Sequence, residues 1–516
     1  MKTKKKQDQC TIYERNNQLV LALNSEMMLP ENAPVRLTSA QLEELDYRKL
    51  YSGYSSTGRK LKVDPRVMFQ VMAYGYQCGI FASRKLEEAC QYRVDFMWLL
   101  GDKPAPDHST ISRFRKRHAE EIEDLFYQYV RLLEKQKETD HEVVFIDGTK
   151  IESCAGRYTF CWRKSVEKQL AKIQAQVLEA TGLETLTELQ ALLEQRREDI
   201  CFTSGRGHRK SEAQREWEAL DKLRQQWEGY ERSLHVMGKG RNSYSKTDYD
   251  ATFMRMKEDH MRNGQLKPGY NVQVAVNSEY ITGIDVFSSR TDYGTMIPFL
   301  QGLRKHHGAV YEEVAADAGY ESLENYLYLE ANGQMSFIKP SNYAQRKTRK
   351  FQKQLGRIEN MSYDLREDSF TCAEGRKLYP RRECTELVSG QYVTTAWYRC
   401  EDCRDCEHRS QCCQAKDPEQ PKEVVLKKTF WEKRLQSQQN ITTAHGIHLR
   451  QCRSIQAEGT FALLKNDFGF RRFLTRGRVN VRTELFLLAL GFNLKKLWMK
   501  RDNGRLRTHL SEIHAA

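Results

Sequence analysis

Val143-Val144-Phe145-Ile146-Asp147-Gly148-Thr149-Lys150 is the stretch of sequence that decides the fold. Four apolar residues, mostly β-branched or aromatic, run together and end in a carboxylate and a glycine. Such a run predicts a strand that is buried on both faces of a sheet. A carboxylate at the tip of a buried strand is costly unless a cation or a metal ion pairs with it. Asp147 is therefore a candidate ligand, and the alternative is an aspartate that caps the following turn.

A second segment repeats this pattern, with Val314-Ala315-Ala316 followed by Asp317 and Gly319. If both segments are strands of one sheet, their carboxylates meet at its edge. Neighbouring carboxylates raise each other's pKa unless a divalent cation lies between them. Mg²⁺ binds few carboxylates and completes its shell with water and phosphate oxygens. The pair predicts two-metal phosphodiester chemistry, in which metals about 3.5–4 Å apart hold the attacking and leaving oxygens.

Glu458 is the candidate third carboxylate, in the helical pattern that runs from Arg453 to Lys465. Small neighbours would let a phosphate or another backbone approach it. Lys465 is seven residues further on, so it shares the helix face of Glu458. The alternative is an ordinary exposed glutamate paired with a nearby cation. Basic residues crowd this part of the chain: Arg450, Arg453, Arg471, Arg472, Arg476 and Arg478.

The charge of the chain favours a polyanionic partner. The 516 residues include 83 Lys and Arg and carry a formal net charge of +14, which suits nucleic acid, although many basic surfaces only aid solubility. No apolar run reaches the ~18 residues that span a bilayer. The basic start Met1–Lys6 lacks the apolar core of a signal peptide. We therefore expect no membrane partner and a cytoplasmic location, where the 14 Cys stay reduced.

The N-terminal part predicts helices, one of which has features of a DNA-reading helix. Asp64-Pro65 is an N-cap followed by proline at the first helical position. A long helix is expected from Ser109 or Thr110 through Leu132. Its start combines small hydroxyl residues with Arg113 and Arg115, as in the second helix of a helix–turn–helix. The alternative is a bundle helix with a solvated basic face.

Between the acids, the pattern predicts a mixed α/β sheet with two interruptions. The expected elements are a hairpin at 270–276 and 280–286, helices at 296–306 and 323–331, and a strand at 336–338. Residues 163–235 read as amphipathic helices, either a helical hairpin inserted into the core or a coiled-coil oligomerisation arm. An apolar helix at 485–497 is expected to pack on the sheet.

The second interruption is polar and contains Cys400-x2-Cys403-x2-Cys406-x5-Cys412. Thiolates at this spacing can bind a tetrahedral Zn²⁺. A small polar segment with little core would need such a metal to fold, so we predict structural zinc. The alternatives are a redox thiol cluster or an Fe–S site.

The three acids stand in Phe-Ile-Asp147-Gly-Thr, Ala-Asp317-Ala-Gly-Tyr and Ala-Glu458-Gly-Thr-Phe-Ala-Leu-Leu-Lys. In this setting they resemble the DDE motif of bacterial insertion-sequence transposases, most closely the eleven-eighty-two group. The resemblance covers roughly residues 40–500. It extends to three further segments: Pro106–Arg115, Pro268–Gln273 and Gly469–Gly477.

The resemblance implies an RNase H-like catalytic core at 141–340 and 430–500, after a helical DNA-binding domain at 1–140. A helical insertion at 160–245, a zinc-ribbon-like Cys-rich insertion at 341–429 and a basic tail at 501–516 complete this division. Two Mg²⁺ or Mn²⁺ ions would be held by Asp147, Asp317 and Glu458. The DNA- or phosphate-binding residues would be Lys465, Arg453, Arg113, Arg115, Arg471, Arg472 and Arg476.

The implied substrates are the terminal inverted repeats of the element and target DNA, both double-stranded. Water and then a freed DNA 3′-hydroxyl would attack phosphodiesters, and a homodimer would hold two ends in a synaptic complex. Two alternatives remain open: an RNase H-like nuclease without strand transfer, and a domesticated DNA-binding regulator.

One departure from the family pattern concerns the residues around Glu458. Related transposases carry Tyr and Arg seven and four residues before the Glu, and Lys seven residues after it. Here these positions hold Gln451, Ser454 and Lys465, so only the lysine matches. Arg453 is one residue out of register and is kept as a candidate substitute.

Overall fold

The computed structural model describes residues 28–54, 61–101, 103–204, 209–256, 264–388, 390–413, 415, 417 and 419–510. Its N-terminal part is helical, as expected. The helices are α1 (Pro34–Glu43), α2 (Arg48–Ser52), α3 (Pro65–Gln77), α4 (Ser83–Tyr92), α5 (Val94–Leu100), α6 (His108–Arg117) and α7 (Ala119–Lys135). The predicted start of α3 is confirmed, because the Asp64 side chain accepts a hydrogen bond from the backbone N–H of Arg66.

The single long helix predicted after residue 108 is wrong, since α6 and α7 are separate helices. His118 divides them with non-helical backbone angles, φ −106° and ψ 39°. Its ring is buried and stacks on the ring of Tyr54. The ring atom Nε2 also forms a hydrogen bond of 2.8 Å with the Tyr54 hydroxyl. A continuous apolar pattern therefore hid a bend that tertiary packing imposes.

Residues 143–338 contain a six-stranded mixed sheet. Its strands are β1 (Val143–Glu152), β4 (Thr252–Arg255), β5 (Leu266–Asn277), β6 (Tyr280–Phe287), β7 (Glu313–Ala316) and β8 (Met335–Ile338). The order is β4-β5-β1-β7-β8, and β6 also pairs with β5. β5 runs antiparallel to β1, whereas β7 and β8 continue the sheet in parallel. The predicted α/β class is confirmed.

Side chains of β1 alternate between two separate cores, as the pleat of a strand requires. Phe145 and Ile151 join the core shared with the N-terminal helices, whereas Val144 and Ile146 join a smaller core on the other face. Helices α11 (Met296–His307) and α12 (Leu323–Ala331) cover that second face. Buried on both faces, β1 matches its apolar sequence.

The hairpin predicted between β5 and β6 is confirmed. Its turn contains Ser278 and Glu279, with φ values of 50° and 73°. Left-handed backbone is unfavourable for residues other than glycine. The turn is held from outside: the backbone N–H of Glu279 donates to Oε1 of Gln456 at 2.9 Å. This bond ties the sheet to the helical segment that carries Glu458.

The first interruption of the core is a helical arm with its own interior. A two-stranded sheet, β2 (Phe160–Trp162) with β3 (Ser243–Ser245), brackets helices α8 (Arg163–Thr181), α9 (Leu186–Glu198) and α10 (Glu212–Met237). Six buried residues form its core: Ile173, Val177, Leu189, Leu193, Leu220 and Trp227. Residues 163–237 contain equal numbers of basic and acidic side chains, so the positive charge of the chain lies elsewhere.

The Cys-rich segment forms a second, five-stranded antiparallel sheet. After the short helices α13 (Tyr343–Arg346) and α14 (Arg349–Gln352), its strands are β9 (Ser362–Asp364), β10 (Ser369–Thr371), β11 (Lys377–Val388), β12 (Gln391–Cys400) and β13 (Glu423–Lys427). Helix α15 (Arg409–Cys412) lies between β12 and β13.

The chain ends in helices α16 (Lys428–Thr442), α17 (Ala444–Arg453), α18 (Gly459–Asn466) and α19 (Arg478–Asp502). The expected packing of the last apolar helix is confirmed, since Asn493 of α19 exchanges hydrogen bonds with the backbone of Ile281 in β6 at 2.8 Å. Among the described residues, no helix is long and apolar enough to cross a membrane. The apolar run Leu19–Leu23, which predicts a short strand or helix, lies outside the described residues.

Candidate active site

Asp147 and Asp317 lie at equivalent positions where the pairing of two neighbouring parallel strands ends. The pairing of β1 with β7 ends at Ile146 opposite Ala316, so the next residue along each strand is an aspartate. Paired residues on adjacent strands point to one face and lie about 4.8 Å apart. Asp147 is only 5% exposed, whereas Asp317 is half-buried. The sheet thus brings together two acids that are separated by 170 positions in sequence.

A backbone N–H orients each of these carboxylates. Gly148 donates to Oδ1 of Asp147 at 2.9 Å, and Gly319 donates to Oδ1 of Asp317 at 2.8 Å. Asp317 also begins the short 3₁₀ turn Ala318–Tyr320. The turn directs the chain away from the sheet at the point where the second carboxylate is presented.

Glu458 lies above the same face of β1, in a π-helical turn formed by Ser454–Glu458 between α17 and α18. The turn packs against β1 and β5, and its buried Ala457 joins the core that contains Phe145. The carboxylate of Glu458 is half exposed and accepts hydrogen bonds from Nη2 of Arg453 at 2.6 Å and from Oγ of Ser454 at 3.0 Å. In this state the Glu458 carboxylate is bound by its own helical segment.

The π-helical turn explains how Arg453 contacts Glu458 from five residues away. Hydrogen bonds in a π-helix join residues i and i+5, whereas an α-helix joins i and i+4. Residues five apart therefore lie on the same side of this turn. The offset of Arg453 by one residue from the family pattern is matched by the wider turn.

Lys465 reaches the strand that carries Asp147. Its Nζ donates to Oγ1 of Thr149 at 2.9 Å, and the side chain is only 8% exposed. Thr149 is two residues beyond Asp147, so the two side chains share one face of β1. The ammonium group is thus a buried positive charge on the face of the sheet where the acids lie.

Three further residues, which sequence reasoning did not select as site residues, form a hydrogen-bonded group that lies against β1 at Gly148. Asp292, in the loop after β6, accepts hydrogen bonds from the side-chain amides of Asn271 and Gln273. Both amides belong to the Pro268–Gln273 segment, which is the part of this group that the sequence resemblance includes. The loop itself, Ser288–Gly294, has no periodic pattern that would single out its aspartate.

Tyr320 connects this group to the two strand aspartates. Burial raises the pKa of Tyr320 well above its ordinary value, and the negative charges of Asp292, Asp147 and Asp317 raise it further. The hydroxyl therefore stays protonated and donates to Oε1 of Gln273.

The basic residues proposed from sequence fall into distinct environments. Arg113 is exposed on α6, but Arg115 on the same helix is 9% exposed and donates to the hydroxyl of Tyr76. The helix turns the Arg115 side chain into the interior, whereas its assignment to DNA binding stays a prediction. Arg476 is exposed at the end of the loop that leads to α19.

Arg471 and Arg472 already bind protein groups. Arg471 donates to the carbonyl oxygen of Lys465, whereas Arg472 donates to three successive carbonyl oxygens at Ser153–Ala155. Both side chains remain partly exposed. Arg472 therefore holds the loop that follows β1 in place, and these contacts do not require a bound phosphate.

The cysteines of the second interruption converge, as the sequence suggested. One enclosed cavity of about 20 Å³ is lined by six thiols: Cys372, Cys400, Cys403, Cys406, Cys412 and Cys413. Within the described part of the chain, however, no group of three or more His, Cys, Asp or Glu side chains is arranged to hold a metal ion. The prediction of structural zinc is therefore not supported. The same finding applies to the three acids, since Glu458 is turned towards Arg453.

Two protein-family models match the chain. One, described as a transposase DDE domain, matches residues 371–498, and the other, described as a transposase domain (DUF772), matches residues 23–117. Both matches support a DDE-type insertion-sequence transposase. The function of this transposase is DNA transposition, and its family generally uses divalent metal ions.

The two matched segments contain only some of the candidate site residues. Glu458, Lys465 and most of the Cys-rich sheet lie in the first segment, and helix α6 lies in the second. Asp147 and Asp317 lie in neither, so their assignment depends on the strand register. No curated protein and no solved structure matches this chain.

Proposed function

We propose that this transposase cleaves the ends of a DNA element and joins them to target DNA, using Asp147, Asp317 and Glu458 as its catalytic acids. The observation that carries the proposal is the position of Asp147 and Asp317 on adjacent parallel strands, on the face covered by the Glu458 segment. The mixed sheet around β1, antiparallel on one side and parallel on the other, supports an RNase H-like core. The motifs favour membership of the eleven-eighty-two group.

The donor set fits Mg²⁺ or Mn²⁺ at the two aspartates, because hard cations prefer carboxylate oxygens. Glu458 fits only after its carboxylate leaves Arg453 and Ser454, which a side-chain rotation at a half-exposed position allows. Two bound cations at such a site stabilise the charges on the attacking and leaving oxygens.

The remaining work belongs to side chains of the chain itself. Lys465 supplies a positive charge beside β1 for a phosphate of the cleaved strand. Arg453, once released by Glu458, has a guanidinium suited to bidentate phosphate binding. Arg113 and Arg476 are exposed and extend the basic surface over which double-stranded DNA would lie. A homodimer that joins two ends completes the proposal.

Substitution of the acids tests the assignment. Asp147→Asn, Asp317→Asn and Glu458→Gln are each expected to abolish cleavage of labelled element ends in Mg²⁺, while DNA binding measured by gel shift stays near wild type. Asp467→Asn, an exposed acid at the end of the same helical segment, is the matched control. Full-rate cleavage by any one of the three variants would remove that residue from the site.

Strand transfer separates the proposal from a nuclease that only cuts. Pre-cleaved ends incubated with a plasmid should become covalently joined to it by the wild-type protein. Cleavage without any joining would favour the RNase H-like nuclease instead. Binding without either reaction would favour a DNA-binding regulator.

A further inference from the structure

Asp292 is the acid whose contacts the proposed chemistry leaves unused. It lies in the loop between β6 and α11, and its Oδ1 accepts from Nδ2 of Asn271 at 2.7 Å and from Nε2 of Gln273 at 3.0 Å. An ionised carboxylate only accepts hydrogen bonds. Asp292 therefore forces both amides to present their NH₂ groups rather than their oxygens.

This constraint fixes the orientation of the Gln273 amide. Its NH₂ group is shared between Asp292 and Oδ1 of Asn271, which lies 3.0 Å away. The amide oxygen is then left to accept the hydrogen bond of the Tyr320 hydroxyl. Tyr320 has no exposed surface, so this bond is made without competition from water.

Tyr320 in turn closes the turn that begins at Asp317. The backbone N–H of Tyr320 donates to the carbonyl oxygen of Asp317 at 3.3 Å, and Gly319 donates to its carboxylate. A continuous series of hydrogen bonds thus runs from Asp292 through Gln273 and Tyr320 to the residue after β7.

The absence of a side chain at Gly148 leaves the space that these hydrogen-bonded residues occupy. A Cβ at this position would lie 2.5 Å from Nε2 of Gln273, 2.8 Å from Oδ1 of Asp292 and 3.1 Å from the Tyr320 hydroxyl. The network therefore lies directly against β1, on the face opposite the side chain of Asp147. Glycine beside the first acid is required by packing from below the sheet, not by backbone conformation.

We propose that Asp292 is a positioning residue of the active site: its carboxylate orients Gln273, which through Tyr320 holds the turn that presents Asp317 beside Asp147. The inference rests on the proposed catalytic role of Asp317. It assigns a function to the polar residues of the Pro268–Gln273 motif. Removing a residue that orients a metal ligand through hydrogen bonds typically changes metal affinity or activity by about 10- to 100-fold.

The test compares Asp292→Ala with Asp292→Asn in the full-length protein. Asparagine keeps an oxygen that can accept both amide hydrogen bonds, whereas alanine keeps none. We expect alanine to lower the cleavage rate and to weaken Mn²⁺ binding, read by electron paramagnetic resonance without DNA, by about tenfold or more. Asparagine should restore most of both values. Thr291→Ala, an exposed neighbour in the same loop, should change neither.

Tyr320→Phe is a second way to break the network, because it removes only the hydroxyl group that donates a hydrogen bond to Gln273. It should reproduce part of the alanine effect, and the double variant Asp292→Ala with Tyr320→Phe should be little worse than Asp292→Ala alone, since both break one series. The single variant Tyr320→Phe keeps the test decisive if Asp292→Ala loses its fold.

Three results overturn the proposal. Wild-type Mn²⁺ binding and cleavage in Asp292→Ala and Tyr320→Phe would show that the network positions nothing. Equal losses in the alanine and asparagine variants would show that the negative charge matters instead of the orientation. Additive losses in the double variant would show that the two residues act separately. Activity of Asp147→Asn and Asp317→Asn would instead refute the proposed function itself.

Discussion

A buried ion pair between Lys500 and Glu138 joins the last helix to the segment that precedes β1. The Nζ atom lies 3.3 Å from Oε2 of Glu138, and the two side chains are 0% and 3% exposed. Nζ also donates to the carbonyl oxygens of Thr508 at 3.0 Å and Ser278 at 3.4 Å. Burial lowers the pKa of Lys500, and the charge of Glu138 opposes that shift.

Lys500→Met leaves the carboxylate of Glu138 buried with only neutral donors. These are the Tyr280 hydroxyl and the backbone N–H of Arg507, both at 2.8 Å. Removing one partner of a buried pair costs about 3–5 kcal/mol, because the other charge is left uncompensated. We expect a loss of this size in the free energy of unfolding. Adding Glu138→Gln should recover much of it, since glutamine carries no charge: its amide oxygen can accept from the N–H of Arg507, and its NH₂ group can donate to the hydroxyl oxygen of Tyr280.

Equilibrium unfolding in urea measures these differences. The control is the exposed pair of Lys210 with Glu218, whose nitrogen and oxygen atoms lie 2.6 Å apart on the helical arm. Lys210→Met should cost less than about 1 kcal/mol, as exposed pairs do. If Lys500→Met costs no more than Lys210→Met, or if the double variant is as unstable as the single one, the reasoning from burial is refuted.

Three further perturbations address other parts of the molecule. Gly148→Ala places a Cβ 2.8 Å from Oδ1 of Asp292, so we expect a loss of about 1–3 kcal/mol in unfolding free energy and reduced cleavage with retained gel-shift binding; wild-type activity would contradict the crowding. Burial lowers the pKa of His307 to about 4 from 6.5, so the unfolded chain binds more protons between these values and stability falls as pH drops through that window, by at most about 3 kcal/mol. Urea unfolding against pH should show a flatter profile for His307→Gln and an unchanged one for the exposed His235→Gln; identical slopes would refute the assignment. Trp227→Ala removes a side chain that is 2% exposed in the core of the arm and should cost about 3–5 kcal/mol, with hydrogen-exchange protection lost in α8–α10 only; loss across the main sheet would show that the arm is not an independent unit.

The strands around the first two acids were predictable because their signal is local. Four apolar residues before Asp147 and three before Asp317 predict short core strands, and the structure confirms both. Their adjacency was only an expectation, since pairing depends on register and not on composition. The parallel alignment of Ile146 with Ala316 supplies what the pattern lacked.

The side-chain environment of the third acid and of the basic helix was not predictable in the same way. Arg113 and Arg115 look alike in sequence, but they lie two residues apart on a helix and so face different directions. Asp292 escaped notice because a loop has no periodicity. Its proposed role depends on the packing of β5 and of the turn after β7 against the same glycine, which no local sequence pattern contains.

The π-helical turn before Glu458 bears on how sequence motifs of this kind are recognised. A helix that widens for one turn absorbs one additional residue while its flanking turns keep their partners. The ion pair of Arg453 with Glu458 is therefore made at a spacing of five residues, whereas an ordinary α-helical turn would place such a pair at a spacing of four. Removing the exposed Ile455 would return the turn to ordinary helical geometry with the arginine at the shorter spacing. A search pattern with one fixed number of residues between the arginine and the glutamate would miss chains that keep this contact. An insertion of one residue at this point should therefore not count against a match.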